Sequence, residues 1–270
     1  MKKITYKIKR SILRIRHNVF VKLRGLTSNQ EDAVHDVIRL IAPVGITEQL
    51  IRVGSNNDGG YLIPLSTHRQ DALISPGVSS NSSFEISFAD QGTKCFLFDA
   101  SVSGPSMTHN NIEFHKKFWG VKSSNDTIDA VEWLSENINE KERNALQMDI
   151  EGAEYDIIRH MPVNTLNMFN LIIIEIHGFQ KILKPKCTEG VVDFFKKITQ
   201  NHKVVHFHPN NNIGPVRYRG IDIIDCFELT LVRNNYPYFS EAAGSFKLHS
   251  LDMPCVPEEA EVSPNWDQVK

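Results

Sequence analysis

Three absences narrow the reading of this 270-residue chain. Its four cysteines (Cys95, Cys187, Cys226 and Cys255) form no CxxC pair and have no metal-ligand spacing. That excludes a disulfide framework and a zinc ribbon, and it predicts reduced, mostly buried thiols in a cytosolic protein. Residues 1–24 hold nine Lys/Arg and no acid, and they lack a long uncharged apolar run, so they form neither a transmembrane helix nor a secretory signal. The rest of the chain sets 21 basic against 32 acidic residues, a formal −11. A body that acidic does not grip a nucleic-acid backbone. Finally, no G-x-G-x-x-G occurs where a dinucleotide site would need its tight pyrophosphate turn. Internal repeats and low-complexity segments are also missing.

What is present begins with a basic amphipathic segment, residues 1–26. Ile4, Ile8, Ile12, Ile15, Val19 and Leu23 recur at steps of three and four. The pattern suits a helix on an anionic membrane surface, or one packed on the body or on a second subunit. Ser28 and Glu31 make an S-x-x-E capping box for a helix burying Val34, Val37, Ile38 and Ile41. Residues 50–64 read as a hairpin around Asn-Asn-Asp-Gly-Gly, in which Asp58 either shapes the turn or reaches a ligand.

From Ala72 strands and helices alternate. Strand 72–75 leads into Pro76-Gly77-Val78-Ser79, a helix over 83–91 and a strand 94–98 that ends at Asp99. Strand, small-residue loop, helix, then a strand ending in an acid is the layout that binds adenosine-containing cofactors. With one glycine in the loop, a cofactor without a pyrophosphate fits better. Further on, the sequence predicts a strand within 112–121 and a helix capped by Asp126 and carrying Ile128, Val131 and Leu134. LQMDIEGAEYDIIRHM (146–161) is a strand turning on Gly152 into a helix, with Asp149 and Glu151 at the strand end and Glu154 favouring the positive end of the helix. NLIIIEI (170–176) is a strand buried on both faces. A helix over 191–198, a strand over 203–207 and one edge strand within 221–232 follow. The expected fold is α/β: a doubly wound, Rossmann-like seven-stranded sheet with flanking helices over 27–250, and an extended tail over 251–270 laid on the surface.

MDIEGAEYDII (148–158), IIEIHGF (173–179), the Gly-Ser loop feeding Phe84-Glu85, RVGSNNDGGYLIP (52–64), HFHPNN (206–211) and FELTLV (227–232) resemble the FkbM-type S-adenosylmethionine-dependent methyltransferases, in a bacterial branch associated with polysaccharide biosynthesis. The resemblance implies a cofactor site of Gly77, Ser79, Glu85 and Asp99: methionine at Gly77 and Ser79, ribose at Asp99. It implies Asp149 beside the transferring methyl group, and a sugar or glycan hydroxyl as acceptor. Asp149 or His177 is then the base, and Asp149, Glu175 or Glu151, and His177 can hold a divalent cation (Mg or Mn) that orients the hydroxyl. Asp58, His206, His208, Asn210 and Asn211 are candidate substrate contacts, each with a plainer alternative in turn or rim hydrogen bonding. Rival readings are a nicotinamide-dinucleotide oxidoreductase, a metal hydrolase built on His206-x-His208, and a non-catalytic binding module. The expected location is cytoplasmic, with residues 1–24 as peripheral contact to the membrane face or as part of an oligomer.

Overall fold

The alternation of apolar strands with amphipathic helices produces one sheet whose two faces are covered differently. The computed structural model describes residues 28–79 and 81–269; the amphipathic reading of residues 1–24 lies outside them. Helix α1 (Ser28–Leu40) buries Val34, Val37 and Ile38 as its periodicity requires. After the short strand β1 (Val44–Ile46) comes the expected hairpin, β2 (Leu50–Gly54) with β3 (Gly60–Pro64). The main sheet comprises β4 (Ala72–Pro76), β5 (Lys94–Phe98), β6 (Ile112–His115), β9 (Asn144–Met148), β10 (Phe169–His177), β11 (His202–Pro209) and β14 (Cys226–Arg233), in the order β11-β14-β10-β9-β4-β5-β6, while β7 (Phe118–Gly120) pairs with β8 (Thr127–Asp129) and β12 (Val216–Tyr218) with β13 (Ile221–Ile223) outside it. Neighbouring strands from β6 through β10 are parallel, and β14 runs antiparallel to both β10 and β11. This is the seven-stranded mixed sheet expected of the Rossmann-like class.

Side chains alternate between faces along each strand. One face carries Ile74, Phe96, Leu146, Ile172 and Leu229 against α1 and the helices Ala130–Asn137, Glu154–His160 and Pro185–Ile198. The other carries Leu73, Cys95, Leu97, Ala145, Leu171 and Ile173, and it is covered by helix Ser83–Asp90 and the β2–β3 hairpin. On this second face the side chains turn polar toward the carboxyl ends: Ser75 on β4, Gln147 on β9, Glu175 on β10, then Glu228 and His208 across β14 and β11.

Three expectations change. Residues 221–232 are two strands, β13 (Ile221–Ile223, paired with β12, Val216–Tyr218) and β14. Strand β14 is interior, which explains its unbroken burial from Phe227 to Val232. Asp129, not Asp126, caps helix Ala130–Asn137, because its side chain accepts hydrogen bonds from the Val131 and Glu132 amides. Thr127–Asp129 is extended instead and pairs with Phe118–Gly120. The segment after Leu251 is extended, but it is not merely laid on the surface. Trp266 is fully buried against Phe179, Phe207, Phe227 and Phe246, and its indole N–H donates to the Asp222 carbonyl at 2.6 Å.

Removing that indole leaves a cavity and an orphaned carbonyl. Trp266→Ala should cost about 3–5 kcal/mol in urea unfolding; a cost under about 1 kcal/mol would show that the C-terminal segment is not part of the core.

Candidate active site

Strands β4 and β9 lie side by side, and their continuations cross at closest approach just past the carboxyl ends. The Asp149 amide donates to the Pro76 carbonyl at 3.2 Å, and the Gly77 amide donates to the Phe98 carbonyl at 2.9 Å. Gly77 has φ +90°, and a Cβ there would lie 1.6 Å from the Asp149 carbonyl oxygen. Only glycine permits this crossing. It divides a cleft into two pockets that share Gly77 and Asp149. One, of about 70 Å³, is lined by Asp58, Tyr61, Ser79, Asn81, Glu85 and Gln147. The other, of about 340 Å³, is lined by Phe98, Asp99, Ser101, Phe118, Trp119, Ile150 and Glu151. Asp99 is buried and fixed. One oxygen accepts the Ser79 amide at 3.1 Å, and the other accepts the Ser101 amide at 2.7 Å and its hydroxyl at 2.6 Å. Ser79 holds φ +52° to make its bond, an uncommon conformation for a residue with a Cβ.

The floor of the first pocket is a buried polar network. Ser75 Oγ lies 2.6 Å from both Glu85 Oε1 and Gln147 Oε1, and the Gln147 amide donates to the Tyr61 hydroxyl at 3.2 Å. One hydroxyl hydrogen cannot serve two acceptors. If Ser75 donates to Gln147, Glu85 must carry a proton and donate to Ser75. Burial agrees, pushing the Glu85 carboxyl up to about 7 against the opposing bond from Ser75.

The Asp149-Ile150-Glu151-Gly152 turn carries the acid cluster. Glu151 and Gly152 take φ +57° and +104°, which brings the Ile150 and Gly152 amides round to one oxygen of Glu154, at 3.2 and 3.1 Å. That same oxygen accepts from His177 Nδ1 at 3.0 Å. Glu154 is fully buried, so its work is to close the turn and anchor His177 as well as to sit at a helix start. The other ring nitrogen of His177 lies 3.8 Å from Asp149 and 3.6 Å from Glu151. Burial disfavours its charge, but the hydrogen bond to Glu154 and the charges of Glu175, Glu154 and Asp149 prevail and raise His177 to about 10. That shift favours the imidazolium form of His177 at neutral pH. Asp149 is raised well above the ordinary range by burial and by Glu175, to which it hydrogen bonds. Asp58 is raised too, by lost hydration and by Glu175.

Donor atoms of Asp149, Glu151 and His177, the residues of one of the two expected cation sets, lie within 4.8 Å of one another. Glu175 instead groups with His177 and Cys226; the Cys226 thiol and the Asn210 amide both donate to its Oε1, each at 2.8 Å.

Gly77, Ser79, Glu85, Asp99, Asp58 and Asp149 are thus brought to one cleft. The other expected substrate contacts are not. Asn210 is buried and positions Glu175. Asn211 ties down the C-terminal segment by donating to the Val256 and Glu259 carbonyls and accepting from the Val256 amide. His208 is sealed between Glu228 and Glu261, and His206 pairs with Asp252. The sequence reasoning missed Gln147, which period-two alternation along β9 places on the same side as Asp149, and Tyr61 of β3, which accepts its hydrogen bond. It also missed Trp119, for which no sequence pattern offered a signal.

A family model described as the methyltransferase FkbM domain matches residues 50–205, more than half of the chain. No curated protein matches significantly. Among solved structures, a fibrillarin pre-rRNA processing protein from Methanococcus jannaschii is similar at 11% identity and TM-score 0.38, covering 70% of this chain and 84% of its own. A fibrillarin/Nop5p complex is similar at 13% identity and TM-score 0.35, covering 71% of this chain and 98% of its own. A protein assigned as an O-methyltransferase from Klebsiella pneumoniae is similar at 9% identity and TM-score 0.35, covering 78% of this chain and 93% of its own.

Glu85 offers a pH test. Its folded pKa of about 7 lies above its ordinary 4.5, so the folded chain holds this proton more tightly than the unfolded one. The contribution to stability is complete below pH 4.5 and is lost as pH rises through 7, about 3 kcal/mol in all. Glu85→Gln should flatten that part of the curve in denaturant unfolding across this range; an unchanged slope would contradict the assignment.

Proposed function

The chain belongs to the FkbM methyltransferase family, and on that basis we propose that it methylates a hydroxyl of a sugar or glycan precursor. The observation that carries the reading is the pair of pockets meeting at Gly77 and Asp149. S-adenosylmethionine, the methyl donor the family implies, supplies a sulfonium-bound methyl group for in-line displacement. The residues fit it: Gly77, held against the Asp149 carbonyl, presents a wall without a side chain to both pockets, and Asp99 is a fixed carboxylate suited to a ribose diol. Phe98, Trp119 and Ile150 offer apolar surface to a flat base. The other pocket is lined by carboxylates and amides (Asp58, Asn81, Gln147, Asp149), which suits a polyhydroxylated acceptor.

Asp149 is the group we assign to the acceptor proton. Its raised pKa makes the ionised form a stronger base than an ordinary aspartate. Glu154 holds the turn and His177 in position, and positioning supplies most of the acceleration in such a transfer. Asp149, Glu151 and His177, the last after giving up a ring proton, would also hold a magnesium or manganese ion, whose chemistry there is to acidify and orient the hydroxyl.

Calorimetric titration with S-adenosylmethionine, S-adenosylhomocysteine and NAD tests the cofactor class. Binding of the first two should weaken about 10- to 100-fold in Asp99→Ala, the value of hydrogen bonds to a charged group. Preference for NAD, or no binding of the methionine cofactors, would overturn the reading. Among the described residues no helix is long and apolar enough to cross a membrane. The basic apolar pattern of residues 1–24 supports peripheral contact with an anionic bilayer at the cytoplasmic face. Deleting them should release the protein from anionic vesicles, and unchanged binding at moderate salt would remove that part of the proposal.

A further inference from the structure

The polar row on the sheet does not stop at the active cleft. Beyond Glu175, cross-strand pairing sets Glu228 opposite it and His208 opposite Glu228. The C-terminal segment lays Asp252, Cys255 and Glu261 over this end. Cys255 Sγ lies 3.6 Å from Glu228 Oε1, and His208 Nδ1 lies 3.1 Å from Glu228 Oε2. All three side chains are buried, and their donor atoms lie within 4.8 Å of one another.

We propose that His208, Glu228 and Cys255 form a second metal site, of the zinc type, that fastens the C-terminal segment to the sheet. Three observations converge on it. The first is spacing: tetrahedral zinc at roughly 2.0–2.3 Å from its ligands sets ligand atoms roughly 3.2–3.8 Å apart, close to the separations seen here. The second is chemistry. One imidazole, one carboxylate and one thiolate make a mixed N/O/S set that favours zinc over magnesium or calcium. The third is the surroundings. A metal-bound histidine donates its remaining N–H to a carboxylate, and His208 Nε2 already faces Glu261 Oε1 at 3.4 Å. Charge points the same way. Asp252, Glu228 and Glu261 are ion-paired, among the described residues, with His206 and His208 alone; no lysine or arginine reaches them. A dication bound here replaces two protons, so the site accepts it with no change in its net charge. Binding replaces the thiol proton of Cys255 and the Nδ1 proton of His208, both of which leave to solvent.

Cobalt reports such a site, because it takes tetrahedral positions and shows a charge-transfer band when bound to thiolate. Full-length protein stripped with chelator should develop that band, saturating at one cobalt per chain, and added zinc should bleach it. The band should vanish in Cys255→Ser and persist in Cys226→Ser and in Asp149→Asn, which separates this site from the active cleft. Glu261→Gln should keep the band with affinity reduced about 10- to 100-fold. No thiolate band in the wild-type protein would overturn the proposal, whatever the variants do. So would loss of the band in Cys226→Ser with retention in Cys255→Ser.

Discussion

The structure depends on one backbone contact: the approach of Gly77 to the Asp149 carbonyl. Parallel neighbours β4 and β9 end in line, and their continuations touch because residue 77 has no Cβ. The contact fixes Asp149 at the mouth of both pockets. It also sets the loop that carries Ser79, whose amide holds Asp99 at 3.1 Å. Ligand-binding clefts of open α/β sheets lie beyond the carboxyl strand ends. Here a single glycine turns that general location into two pockets with a shared wall.

A second constraint is charge. Asp149, Glu151, Glu154 and Glu175 crowd around His177, and the hydrogen bond to Glu154 with the charges of Glu175, Glu154 and Asp149 raises its pKa despite its burial. Carboxylates this close cannot all stay ionised. Asp149 accordingly holds its proton into a higher pH range, and the Cys226 thiol and Asn210 amide donate to Glu175. The same problem recurs across β14 and β11, where, among the described residues, the acids are ion-paired only with histidines. Buried acids that persist without lysine or arginine partners impose a cost on folding. Within this fold that cost falls on the face covered by a hairpin and one helix, while the opposite face keeps the large apolar core.

Much of this was legible in the chain itself. Strand periodicity located β4, β5, β9 and β10, and the acid that ends each of β5 and β9 marked the cleft. The motif around Asp149 was readable because its chemistry is local: strand, acids, glycine, helix. What was not legible was long-range. His208 and Asn211 look like substrate contacts beside a proline-asparagine turn, yet they face a segment more than 40 residues away that no local pattern connects to them. The role of Trp266 was hidden for the same reason, since a proline- and glutamate-rich tail reads as surface until its one large aromatic finds the core. The environment of His177 was hidden too, because its raised pKa comes from Glu154, Glu175 and Asp149, of which Glu154 reads in the sequence only as a helix-dipole residue.

The central claim is that the cofactor lies across the Gly77–Asp149 crossing. Hydrogen–deuterium exchange with and without S-adenosylhomocysteine tests it directly, since it locates the ligand on the chain. The account predicts slower exchange at residues 77–79, 99–101 and 150–152, with no change at 206–211 or 252–262. Protection confined to those last two segments, with the crossing unaffected by saturating ligand, would contradict it.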